Sequence, residues 1–234
     1  MKIEHLEITD STNEYMKRKK IREEYETVYA DEQTGGKGRR GNKWISNKGS
    51  GLFTYIVKNK NYEEKISLFI GYITYKVLSE LVNTDNLKFK WPNDIYYNER
   101  KISGILVEKV DEDLIVGIGI NINNTDFGIF SENAVSLRMI TGKDYDIKEI
   151  IINIVRRTGE EIKNIDENWN EIISFLNKNH LLNEKKVENS QKENYYVKKI
   201  NEDGSLQILK TGETESKKIY SDEIKGIKLV DIKK

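Results

Sequence analysis

Residues 35–44, GGKGRRGNKW, set two lysines and two arginines among four glycines and close on a tryptophan. A guanidinium is a planar fork of donors that grips carboxylate or phosphate oxygens in pairs. An indole presents a flat face on which a base can stack. Arginine is scarce in this chain, eight against 31 lysines, so Arg39 and Arg40 side by side stand out. With glycines to lend mobility, the stretch reads as a loop that closes over a nucleotide or a mixed anhydride. A solvated basic loop is the plainer alternative; the length of this loop between strands weighs against it, because long loops in compact domains tend to be functional or disordered. The rest of the chain offers no credible set that would activate a nucleophile. Cysteine is absent and the two histidines, His5 and His180, lie far apart, which argues against a zinc centre and against Ser/His/Asp or Cys/His catalysis.

Gly36, Gly38 and Gly41 spell G-x-G-x-x-G. A dinucleotide fingerprint must leave a strand and open a helix, so that the helix N-terminus meets the pyrophosphate. Here NKWISNKGSG follows, without helical periodicity, and the next element is a strand. The Walker pattern fails as well, because no Ser or Thr follows the G-K pair. A nucleic-acid module also interleaves basic and aromatic residues, but it needs more basic surface than one loop. The 39 basic and 39 acidic side chains cancel, and charges elsewhere alternate in sign as on solvated helix faces.

The elements that must position this loop follow from patterning. IEHLEI (3–8) alternates like a half-buried strand, and Asp10, Ser11 and Thr12 supply capping side chains for a helix beginning NEYMKRKK. ETVYADEQ (26–33) and GLFTYIVK (51–58) are strands on either side of the loop. Apolar residues from Ile66 to Val82 fall at helical spacing with one buried face. LKFKWPNDIYYN (87–98) reads as a strand interrupted by the single proline, Pro92, and KISGILVEKV and LIVGIGININ as two strands joined at residues 111–113. Two amphipathic helices over 146–179 should cover one face of this sheet. KKVEN, YYVKKI, LQILKT, SKKIYS and IKLV then predict a small β-barrel of about fifty residues. The expected fold is α+β: a mixed, mostly antiparallel sheet with flanking helices, as a domain over 1–183, and a barrel domain over 184–234. No apolar run approaches the ~20 residues that span a bilayer, no leader pattern is present, and a cytoplasmic, membrane-free protein is expected.

Four stretches in order, DSTNEY (10–15), EQTGGKGRRGNKW (32–44), KWPNDIYYNERKISGILVE (90–108) and GIGININ (117–123), together resemble the biotin protein ligase family, also called biotin-[acetyl-CoA-carboxylase] ligase. The resemblance is dense from Ile3 to about Asn123 and looser over the helices and C-terminal strands. It implies adenylation of the biotin carboxylate by ATP with Mg²⁺, then transfer of the biotinyl group from biotinyl-5'-AMP to a lysine of a biotin carboxyl carrier domain. Such a carboxylate-on-phosphate reaction is limited by electrostatics, so preorganised cations rather than a protein nucleophile are what it needs.

By this resemblance Ser11, Thr12, Asn13 and Gln33 would hold biotin; the ureido ring presents both N–H and C=O, which hydroxyls and amides can meet. Helix capping is the alternative role for Ser11 and Thr12. Gly36, Lys37, Gly38 and Arg39 would form the loop that folds over the activated intermediate and shields it from water. Lys101 would be the catalytic lysine, touching the biotin carboxylate and the α-phosphate. Gly104 would let substrate approach the strand, although a β-bulge explains a lone strand glycine equally well. Asp94 would hold Mg²⁺ or align the attacking lysine. Arg39, Arg40, Lys43, Trp44, Asn93 and Asn121 would serve the nucleotide, with Trp44 and Asn121 flanking the adenine; a core role for Trp44 is the competing account.

Two positions depart from the family pattern: Lys37 stands where arginine is usual, keeping the charge and losing the fork, and Asn42 stands where another arginine is common. Some members carry an N-terminal helix-turn-helix and repress transcription. With the first strand at Ile3, a ligase that does not bind DNA is expected. Lipoate-protein ligation on the same fold and a non-catalytic nucleotide-binding module are the alternatives, and dimerisation through an exposed sheet edge stays open.

Overall fold

The computed structural model describes residues 1–58, 61–63, 65–189, 191–221 and the backbone of 228–229. The chain opens with β1 (Ile3–Thr9), α1 (Thr12–Arg18) and β2 (Thr27–Gln33), with β1 and β2 parallel. β3 (Ser50–Lys58) follows the glycine-rich loop, then α2 (Ile66–Ser79), β4 (Leu87–Lys90), β5 (Asp94–Tyr97), β6 (Arg100–Val110) and β7 (Asp113–Asn121). The resulting seven-stranded sheet runs β1-β2-β3-β7-β6-β5-β4, antiparallel everywhere except at its β1 edge.

Alternation along β3 divides the core into two faces. Phe53, Tyr55 and Val57 pack with Val116 and Ile118 of β7 against the helices, while Ile56 and Ile115 point the other way to meet Met16 of α1 and Val28. The first face is covered by α2 and by α4 (Ile147–Glu161); α3 (Leu137–Thr141) is a short helix ending at Gly142, whose φ of +73° suits a residue without a Cβ. Two expectations about these helices change. α2 is buried nearly all round rather than on one face, because it lies between the sheet and the helices α4 and α5 (Trp169–Lys178). α5 packs chiefly on α2 and on the C-terminal strands instead of directly on the sheet, where Asn177 bonds the backbone of Ile200 through both ends of its amide.

β8 (Lys186–Glu188), β9 (Asn194–Ile200), β10 (Leu206–Lys210), β11 (Ser216–Ile219) and β12 (Lys228–Leu229) form an antiparallel sheet of order β11-β10-β9-β8-β12. The expected barrel is not closed: closure requires β11 to pair with β12, and no such pairing exists among the described residues. Of the expected strand at 227–230, only Lys228–Leu229 lies inside the described residues. Among the described residues no helix is long and apolar enough to cross a membrane.

Candidate active site

The face of the sheet that carries α1 also carries a run of glycines. Gly119 of β7 lies opposite Gly104 of β6 and Leu52 of β3, and Gly117 lies opposite Thr54. Each glycine makes room for a side chain above it. The Trp44 ring rests on the first pair: a Cβ on Gly119 would fall 2.6 Å from Trp44 Nε1, and one on Gly104 3.0 Å from Cζ3. A Cβ on Gly117 would fall 2.8 Å from Asn13 Cγ. Trp44 is therefore part of the floor of a cleft of about 240 Å³ rather than of the core, and its Nε1–H is buried without a partner among the described residues. Such an unmet donor is costly unless a ligand or water satisfies it.

Lys101 reaches the cleft through a β-bulge. Ile95 pairs with Ser103 but Tyr96 pairs with Lys101, so Ile102 is the extra residue of β6 and is fully buried among the core side chains. Strict alternation would send Lys101 to the helix-packed face with Ile105; the bulge re-aims it. Its Nζ lies 2.7 Å from Asp94 Oδ1 and 5.2 Å from the centre of the Trp44 ring. The bulge thus sits two residues before Gly104, which pairs regularly with both neighbours. The backbone of Lys101 is gripped from behind: Asn133 O accepts its N–H at 2.8 Å, and its carbonyl accepts from Val135 N–H and from Asn121 Nδ2 at 3.2 Å.

The other end of the cleft is a polar network. Thr12 N–H donates to Gln33 Oε1 at 2.7 Å with the Thr12 hydroxyl 3.1 Å from the same oxygen, and Gln33 Nε2 donates to Ser46 Oγ at 3.0 Å. Beneath, the buried Thr54 hydroxyl contacts Thr12 Oγ1 at 2.8 Å and Asn13 Oδ1 at 2.6 Å, and Asn13 Nδ2 donates to Glu108 at 2.8 Å. Gln33 keeps one amide hydrogen to offer the cleft. Ser11 occupies the N-cap position of α1 without making a side-chain cap bond, so the capping alternative for it does not hold; Asp10 accepts the Ser11 N–H instead, at 2.8 Å.

The glycine-rich loop is a hairpin rather than an open lid. Lys37 bridges Lys43, Gly38 N–H donates to Asn42 O at 2.7 Å, and Arg39–Gly41 forms a 3-10 turn at the tip with Arg40 at φ +57°. Arg39 donates to Ser221 O at 3.1 Å, and Arg40 donates to the same carbonyl. Lys37 pairs with Glu14 at 2.9 Å. Lys37, followed by Lys17, holds the Glu14 carboxyl below its ordinary range by donating to it. Lys37, Arg39, Arg40, Lys43, Lys90 and Lys101 line the cleft, and Asp94 is the one carboxylate lining it among the described residues. Six cationic side chains against one carboxylate give the cleft a local excess of positive charge, the kind of preorganised field that favours anions.

Of the residues expected from sequence, Ser11, Thr12, Asn13, Gln33, Lys37, Gly38, Arg39, Arg40, Lys43, Trp44, Asn93, Asp94, Lys101 and Gly104 line this one cleft. Gly36 and Asn121 do not. Gly36 packs under the loop, its carbonyl accepting Trp44 N–H at 3.0 Å. Asn121 is buried with both ends of its amide engaged, on Lys101 O and on Asn124. Gly117, Gly119, Ser46, Thr54 and Lys90 were not singled out from sequence. The G-I-G spacing of the first two, which puts both on one strand face, was a legible signal; the others are defined only by contacts.

The profile of the biotin/lipoate A/B protein ligase family matches residues 5–124. The bifunctional ligase/repressor BirA of Escherichia coli K12 is 27% identical over 74% of this chain, and this chain spans 60% of its length. The biotin-[acetyl-CoA-carboxylase] ligase of Paracoccus denitrificans is 31% identical over 53% of this chain and 57% of its own. Biotin protein ligase from Aquifex aeolicus, solved in complex with biotin and ATP, superposes with a TM-score of 0.87 at 31% identity, over 98% of this chain and 99% of that one. With a matched profile covering half of its length and this architecture, the chain belongs to the biotin/lipoate A/B protein ligase family.

Proposed function

We propose that this protein is an ATP-dependent biotin protein ligase. The observation that carries the reading is that Lys101, Arg39 and Lys37 line the same cleft as the Ser11 hydroxyl and the Gln33 amide. In the first step the biotin carboxylate attacks the α-phosphorus of ATP, the bond to the β-phosphate oxygen breaks, and pyrophosphate leaves. Lys101 faces the joined carboxylate and α-phosphate and offsets their repulsion; one well-placed donor of this kind is worth roughly 10²–10³ in rate. In the second step a neutral lysine amine of a biotin carboxyl carrier domain attacks the acyl carbon, AMP leaves, and an amide forms. Acetyl-CoA carboxylase is the carrier enzyme this reading assigns.

The donor set also suits Mg²⁺. That ion ordinarily takes one or two carboxylates together with substrate phosphates rather than an all-protein cage. Asp94, beside Lys101, would hold it, and the ion would supply charge neutralisation on the phosphates. No cluster of three or more metal-ligating side chains exists among the described residues. Residues 1–183 form the catalytic unit in this reading and 184–234 a C-terminal accessory unit. Biotin-dependent exchange of labelled pyrophosphate into ATP tests it directly. Exchange with biotin and none with lipoate is expected; exchange driven by lipoate alone, or by neither acid, overturns it.

A further inference from the structure

Ser46 is absent from the ligand-gripping motifs, yet three parts of the site meet at its hydroxyl. Its Oγ accepts the Gln33 Nε2–H at 3.0 Å and donates to Trp44 O at 3.2 Å. The residue is 9% exposed, and a Cβ on Gly36 would collide with this oxygen and lie 2.7 Å from Trp44 O. The Trp44 peptide is therefore held from both sides, its N–H by Gly36 O and its C=O by Ser46. The loop accordingly has a closed base, at 36 and 44–46, beneath a hairpin tip that carries Arg39 and Arg40 on Ser221.

The same hydroxyl fixes the sense of the Gln33 amide. Because Thr12 N–H can only donate, Gln33 Oε1 faces Thr12 and Nε2 faces Ser46. One amide hydrogen remains for a ligand in the cleft. Without Ser46 as acceptor the Nε2 end of that amide is untied and only the Thr12 bonds to Oε1 oppose its rotation, and the Trp44 carbonyl loses its tie.

We propose that Ser46 is a positioning residue: it orients Gln33 as a hydrogen-bond donor toward the carbonyl of the substrate's ureido ring and locks the base of the loop that carries Trp44. This inference rests on the biotin-activating reading above. Two measurements on Ser46→Ala decide it. In the pyrophosphate-exchange assay the biotin KM rises about tenfold, the loss of roughly 1.4 kcal/mol expected for one or two neutral hydrogen bonds, and clearly more than the ATP KM, which moves only through the loosened loop base under Trp44. In the ligand-free protein, amide hydrogen exchange in the 36–46 peptide accelerates at least about tenfold while β3 and β7 keep their protection. Gly36→Ala, which pushes on the same hydroxyl, gives the same signature, and the double variant is less than additive. Equal increases in both KM values, or unchanged exchange in the loop, overturn the proposal, as does faster exchange with an unaltered biotin KM. If the unsubstituted protein shows no biotin-dependent exchange, the functional reading falls and hydrogen exchange alone decides Ser46: acceleration confined to the loop base keeps its structural part, and none overturns it.

Discussion

Replacing His180 by glutamine should flatten the acid side of the stability profile. The ring is buried, and its Nε2 accepts the backbone N–H of Trp91 at 3.1 Å. A backbone N–H can only donate, so Nε2 carries the lone pair and the neutral ring's hydrogen sits on Nδ1, which has no partner among the described residues. Burial, with the nearby positive Lys90, pushes the imidazolium down to about 3 from an ordinary 6.5. The sign follows. Below pH 6.5 the unfolded chain takes up a proton that the folded chain refuses, so stability present at neutral pH falls as pH drops toward 3. At about 1.4 kcal/mol per unit, moving from pH 7 to pH 5 removes about 2 kcal/mol through this one group. Carboxylates held low, such as Glu193 at about 2 beside Lys210, act in the same direction. They act mainly below pH 5 and are common to both proteins. Glutamine can accept the Trp91 N–H and does not titrate. Urea unfolding at pH 7, 6 and 5 at constant ionic strength should show the unsubstituted protein losing about 2 kcal/mol more than His180→Gln over that interval. Parallel profiles would refute the assignment of a neutral, buried imidazole.

Three further outcomes are expected. Lys101→Met keeps the stem and removes the charge, so pyrophosphate exchange should fall by roughly 10²–10³ with the melting temperature close to unchanged; an active variant removes Lys101 from the chemistry. Gly117→Ala puts a methyl group into Asn13 and breaks its bond from Thr54. It should destabilise the protein by about 1–3 kcal/mol and raise the biotin KM, whereas a variant with unaltered melting temperature and KM would show that α1 yields freely. Glu14→Gln removes the charged partner of Lys37. The freed ammonium should lower the biotin KM by about two- to threefold at low salt, an effect worth under 1 kcal/mol, and a raised KM would mean that Glu14 presents Lys37 rather than restrains it.

The legible part of this protein lay in spacing. Strand and helix periodicity located the core elements, and the family resemblance carried by the ordered stretches around Ser11, Arg39, Lys101 and Asn121 implied one chemistry. Local pattern suffices for the elements because side-chain period reports which element forms, while residue type narrows the ligand only to an anion and the resemblance names it. Three decisions required the tertiary structure. The bulge at Ile102 is a property of pairing with β5, invisible within β6 itself, and it alone turns Lys101 from the core to the cleft. Asn121 lay in a motif that suggested a base contact, yet it is buried behind Lys101 and outside the cleft lining, with its Nδ2 on Lys101 O and its Oδ1 taken by Asn124. Ser46 and Thr54 carry no motif at all; they matter because a buried hydroxyl must find partners, and the fold supplied Gln33, Trp44, Thr12 and Asn13. Sequence by itself determined which groups are present and on which element each rides. Where their donors and acceptors point was decided by packing between residues far apart in the chain, which no local pattern encodes.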